Sequence, residues 1–246
     1  MDRASTTETA AESLEKQFKA AKFIFDSRIA DDSIMCRIYE AFVGEDWNKH
    51  NCLGCNLQDL SEQISRFLRI ESEHCSEMQP HHSVSLYMFL LNTLWERMTD
   101  ILDILGVPEE YRGRHFECMR RVRRWANFFK HPKEFAWIVH HPEYVSEGTS
   151  ALVDLKSRTP APLLIDDEFV KSFYACNSAK GLRSKLQQSR ENVVVVLPNV
   201  ATMTSAVCDC IDRFVSMITD NPIYQEILDD KSTIADFYDK TCEDRE

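Results

Sequence analysis

Between Arg120 and His131 the chain reads RRVRRWANFFKH, and Arg120, Arg124, Asn127 and His131 fall at helical spacing. At about 100° per residue these four polar side chains share a stripe about 60° wide. Cys118, Val122, Trp125 and Phe129 lie on the opposite side of the same wheel. Arg120 and Arg124 are like charges at i,i+4, a pairing that costs stability unless an anion sits between them. Pro132 obliges the helix to stop beside His131. There the negative end of the helix dipole favours a protonated imidazole. A guanidinium that grips phosphate and an imidazole that moves a proton are the two groups that metal-free RNA cleavage requires. The same stripe is equally compatible with a solvated face whose arginines pair with acids on neighbouring helices.

The surrounding charge makes this stripe unusual. The chain of 246 residues carries a net charge of −11. Residues 112–133 hold eight basic side chains against one acid, Glu117, a local +7 that leaves −18 for the rest. An acidic body with one basic window suits a single defined anionic ligand better than indiscriminate coating of nucleic acid.

Six glycines and eight prolines favour helices over a turn-rich all-β fold. The opening residues lack an apolar signal core, and no apolar run approaches a membrane span. A cytoplasmic protein with no membrane contact is expected, its nine cysteines reduced and largely core-filling.

The elements that must position the stripe are helical. Phe18, Ala21, Phe25 and Ile29 mark a first helix over 8–29. A short second helix carries Ile34, Ile38, Phe42 and Trp47, and 48–56 reads as a loop. Leu57, Leu60, Ile64, Phe67 and Leu68 mark a third helix to about 73. The strongest helix spans 83–105, with Leu86, Phe89, Leu90, Leu94, Met98, Ile101, Leu102 and Leu105 apolar and Ser85, Asn92, Glu96, Thr99 and Asp103 in a polar stripe. Gly106 and Pro108 end it, and the basic helix follows over 113–130. Beyond Tyr144 the runs ALVDL (151–155), PLLID (162–166) and VVVVL (193–197) are aliphatic or β-branched, with a helical piece over 168–188 between the last two. A long helix over 200–219 and two short helical pieces close the chain. The expected organisation is mainly α: a helical bundle over 1–144, a small β-containing insertion over 145–198, and C-terminal helices over 199–246 completing the bundle.

An arginine followed by histidine at the end of a helix, within a mostly helical bundle, resembles the HEPN superfamily; here the stretch runs from Arg124 to His131 with Asn127 inside it. The family's commonest form has its arginine directly before the polar residue, where this chain has Ala126; Arg124 reaches the same face from one turn earlier. The resemblance covers about residues 83–141. It implies a bundle that dimerises, bringing two motifs into one composite RNase site, in proteins that often serve as toxins or in defence against phage. Arg124 would then hold the scissile phosphate, helped by Arg120 or Arg121. His131 would act as general acid or base for attack by the ribose 2′-hydroxyl, Asn127 would orient the histidine or phosphate, and Glu96 (or Asn92) on the preceding helix would fix the arginine. Arg123, Lys130 and Lys133 would add RNA contacts. This scheme needs no metal and no cofactor. A partner protein of a toxin–antitoxin or defence system, and a homodimer, follow from the same resemblance.

Other constellations are less specific. Cys52 and Cys55 with His74 and Cys75 offer four zinc-type ligands, yet adjacent ligands on one helix point about 100° apart. Cys208 and Cys210 point to opposite sides of a helix and form neither a metal pair nor a redox pair. His81–His82 and His140–His141 read as solvated loop histidines, and Phe128, Phe129, Phe135 and Trp137 read as core rather than base-stacking platforms. Two further readings use the same basic helix without chemistry: a non-catalytic HEPN-like module holding RNA, a nucleotide or an acidic partner, and a subunit docked in a larger assembly.

The ribonuclease reading makes a direct prediction. His131→Ala abolishes EDTA-resistant cleavage of total RNA while leaving RNA binding largely intact; an unchanged cleavage rate removes His131 from the chemistry.

Overall fold

The computed structural model describes residues 10–30, 52–74, 80–130, 142–175, 179–189, 192–230, 232–233 and 235–237. The expected second helix, His131, Lys133, Cys75, the segment holding Phe135 and Trp137, His140–His141 and the C-terminal Cys242–Glu246 lie outside the described residues.

The described chain is mainly α-helical with one small parallel sheet. The helices are α1 (Ala10–Phe25, continued by a π-helical turn, Asp26–Ala30), α2 (Cys52–His74), α3 (Pro80–Ile104), α4 (Glu109–His115), α5 (Glu117–Lys130), α6 (Ser150–Lys156), α7 (Asp167–Tyr174), α8 (Ala179–Ser189), α9 (Val200–Thr219) and α10 (Pro222–Asp229). The strands are β1 (Glu143–Ser146), β2 (Leu163–Ile165) and β3 (Val193–Leu197). No helix among the described residues is long and apolar enough to cross a membrane.

Five helices close a ring: α1 packs on α2, α2 on α3, α3 on α5, α5 on α9, and α9 returns to α1. The stripe of Leu14, Phe18, Ala21, Phe25 and Ile29 on α1 is wholly buried, as its spacing requires. Phe18, Phe67 and Tyr87 meet with ring centroids 6.0–6.1 Å apart, joining α1, α2 and α3. The Tyr87 hydroxyl and Thr204 Oγ1 lie 2.7 Å apart, tying α3 to α9 inside the core. Burial pushes the Tyr87 hydroxyl well above its ordinary pKa, so it stays protonated.

The sheet has the order β1-β3-β2, both pairings parallel. Every residue of β3 is buried, as expected for a central parallel strand covered on both faces. Val193, Val195 and Leu197 join the bundle core, whereas Val194 and Val196 pack with Val145 and Leu155 in a second cluster under α6. Gln17 fastens the sheet to the bundle. Its Nε2 donates to Ser146 Oγ at 2.7 Å and its Oε1 accepts from the first N–H of α9, Val200, at 3.0 Å.

Several boundaries differ from the sequence reading. ALVDL is not a strand but α6, because only Leu155 is buried and Val153 is 70% exposed, a one-sided helical pattern. The strand is instead EYVS (143–146), whose inward pair is Val145 and Ser146. Residues 52–56 belong to α2 rather than a loop. On α3 the inward face runs through Val84, Tyr87, Met88, Leu91 and Trp95, which leaves Leu86 exposed. The helix expected over 113–130 is two: Phe116 leaves helical geometry at φ −122°, ψ 29° and buries its ring beside Trp95. The helical piece over 168–188 is likewise split into α7 and α8. The end of α3 matches expectation: Gly106, at φ +62°, lets Val107 N bond Leu102 O and Gly106 N bond Asp103 O.

Candidate nucleic-acid interface

The core side of α5 is built by Met119, Val122, Trp125, Ala126 and Phe128, all buried. Trp125 is fully buried, with Phe128 and Phe129 packed at centroid distances of 5.4 and 5.7 Å. These rings are committed to the core and offer no stacking platform. Ala126 is 3% exposed, so an arginine at that position would drive a charge into the bundle.

The opposite side carries the basic residues, and the structure sorts them. Arg112 sits at the end of α3, with Nε on Val107 O at 2.7 Å, Nη2 on Leu102 O at 3.0 Å and Nη1 on the Asp103 carboxylate. It adds a second donor to Leu102 O, which also accepts from Val107 N, and fastens Val107 just beyond the helix end. Arg120 reaches back across α4 to Glu109. Its guanidinium lies over Gly113, where a Cβ would stand 2.8 Å from Nη1. Arg121 bridges to the carboxyl edge of the sheet: Nε donates to Asp167 Oδ1 at 2.7 Å and Nη2 to Glu147 Oε2 at 3.2 Å. Burial works against the Arg121 charge, and the Asp167 and Glu147 carboxylates more than offset it, holding the guanidinium above its ordinary pKa. Asp167 Oδ1 also accepts from Trp125 Nε1 at 3.1 Å, and Glu147 Oε2 accepts from Asn199 N at 3.3 Å. Neighbouring Asp166 caps α7 by accepting from Phe169 N at 2.9 Å.

Arg124 turns the same way. Its Nη2 donates to Glu117 Oε1 at 2.8 Å, two turns back towards the start of α5. Long helical side chains lean towards the N-terminus, and an acid in the first turn draws this one further. Its Nε is inaccessible and has no partner among the described residues. The Arg124 guanidinium is therefore directed away from the end of α5, after which His131 follows. Glu96 does not hold it: the Glu96 carboxylate accepts from Asn92 Nδ2 at 2.8 Å. Asn127 is half-buried on the polar face.

What remains is an exposed edge. Arg123 and Lys130 are exposed on α5 and Arg114 on α4, and among the described residues none of the three has an ion-pair partner. Arg123, Asn127 and Lys130 stand at i, i+4 and i+7, a row about 10 Å long. Spacing placed these residues on the polar side; it carried no signal of which arginines the rest of the chain would claim.

Of the other sequence candidates, His81 departs from expectation. His81 is not a solvated loop residue: it begins α3 and stacks on Tyr144, centroids 4.2 Å apart at 11°. Burial, with the neighbouring His82, lowers its pKa. Cys208 and Cys210 are both buried, and burial pushes the Cys208 thiol up to about 12. Cys52 and Cys55 open α2.

Neither family models, nor curated proteins, nor solved structures give a match to this chain.

The Arg121–Asp167–Trp125 junction gives a stability prediction. Asp167→Ala leaves the Trp125 N–H buried without its acceptor and Arg121 with one carboxylate, a loss of about 2–4 kcal/mol in urea unfolding. A change below about 0.5 kcal/mol, ordinary for surface substitutions, would contradict it.

Proposed function

We propose that this chain is an RNA-directed, HEPN-like binding module that holds a single-stranded phosphate backbone along the free edge of α5. The observation that carries the reading is the division among its basic residues. Arg112, Arg120, Arg121 and Arg124 are answered by carboxylates of the same chain, while Arg123 and Lys130 stay exposed without one among the described residues. Unpaired cations at helical spacing on an acidic protein give a local positive row, and phosphate contacts supply most of the affinity of sequence-tolerant binding. Two cations on a row about 10 Å long suit two phosphates of a backbone better than a mononucleotide. Because Trp125 and Phe128 are buried and Phe129 packs partly buried against the core, the contact is to backbone rather than to bases.

A second reading, metal-independent endoribonuclease, is favoured by one feature of Arg124. Its internal partner, Glu117, is 51% exposed, a carboxylate that a phosphate can replace. A homodimer and a toxin or defence setting belong to that reading.

The test is fluorescence anisotropy with a short single-stranded RNA at several salt concentrations. Arg123→Glu/Lys130→Glu weakens binding about tenfold or more, and the slope of log K against log salt falls by about 1.4, two phosphates' worth. Stability in urea is unchanged. Unaltered affinity in this variant rules out the edge as the binding site, whereas EDTA-resistant cleavage by the native chain moves the weight to the nuclease.

A further inference from the structure

We propose that Glu117 is an internal competitor for the ligand phosphate at Arg124, holding that guanidinium turned away from the end of α5 until an anion takes it. The identity of the ligand rests on the RNA-directed reading; the competition itself rests on the geometry of one ion pair.

Of the three arginines of α5 held by a carboxylate of the same chain, Arg124 is the one placed to exchange. Arg120 is seated against α4, its guanidinium fitted over Gly113 on the way to Glu109. Arg121 is held by two carboxylates at once. Among the described residues Arg124 makes one bond, from Nη2 to an acid on its own helix, and its Nε–H is inaccessible and without an acceptor. A guanidinium offers a planar fork, and a phosphate engages two of its N–H groups together. An inaccessible donor left unmade penalises the closed arrangement, whereas swinging the side chain towards the C-terminal end of α5 frees that Nε–H for an anion. There half-buried Asn127 and exposed Lys130 share the polar side of the helix. Glu117, half-exposed, is a weak holder, because solvent-exposed ion pairs differ little in free energy from their separated partners. The device is thus an exchange of one oxyanion for another at Arg124, with no covalent step. It makes Glu117 a residue that sets the threshold for ligand entry.

The test is a double-mutant cycle read by RNA affinity. Glu117→Gln tightens binding about 2–5-fold, the range expected from removing an exposed competing carboxylate. In an Arg124→Ala background the same substitution gives no gain. An equal gain in both backgrounds assigns Glu117 to bulk charge and overturns the proposal, as does no gain in either. If the chain binds no RNA at all, the functional reading fails, and the competition is judged by titration with inorganic phosphate. The Nε–Hε NMR signal of Arg124, identified by its loss in Arg124→Lys, then saturates at lower phosphate in Glu117→Gln than in the native chain. The same response in both proteins, or none in either, overturns it.

Discussion

One oxygen of Asp167 accepts both the Arg121 Nε–H and the buried Trp125 indole N–H, and the joint between bundle and sheet depends on it. Among the described residues Trp125 is the largest fully buried side chain, and an indole N–H is a donor that must be satisfied wherever it is buried. The first residue of α7, at the end of β2, supplies the acceptor. Arg121 then adds the charge that balances Asp167 and reaches Glu147, which in turn holds the backbone between β3 and α9. A short parallel sheet is a poor independent unit, and here its carboxyl edge is anchored to the bundle by polar bonds as well as by Val193, Val195 and Leu197 in the common core.

This constraint explains why so basic a helix sits in so acidic a chain. The positive window is used first by the fold: Arg112 caps α3, Arg120 fixes α4 against α5, and Arg121 fixes α5 against the sheet. Each arginine has an acid nearby because the remaining chain is negative. Among the described residues the fold leaves Arg114, Arg123 and Lys130 exposed without an internal carboxylate. Arg124 lies between the two groups, held inside the chain by a single exposed carboxylate.

The parts of this arrangement legible in the sequence are those governed by periodicity. The inward stripe of α1, the limits of α9, the glycine stop after α3 and the two-sided character of α5 all follow from apolar spacing and backbone chemistry. Strand β3 was legible because four consecutive valines have few other uses. Strand β1 was not, since EYVS offers two inward residues and one of them is serine held by Gln17. ALVDL misled because aliphatic composition without length fits a short helix as well as a strand. The direction of Arg124 was hidden for a different reason. A helical wheel gives the face on which a side chain starts, whereas its end is decided by the nearest carboxylate, and that was Glu117 rather than Glu96.

The central claim is that the arginines of α5 are divided between those that hold the fold and those that it leaves without an internal carboxylate among the described residues. Urea unfolding of Arg121→Gln beside Arg123→Gln tests it most directly, since the two sites are two residues apart and lose the same charge. The account predicts a midpoint lowered by the equivalent of about 1.5–3 kcal/mol for Arg121→Gln, which loses charged hydrogen bonds to Asp167 and Glu147, and no shift beyond about 0.5 kcal/mol for Arg123→Gln. Equal midpoints for the two variants would contradict it.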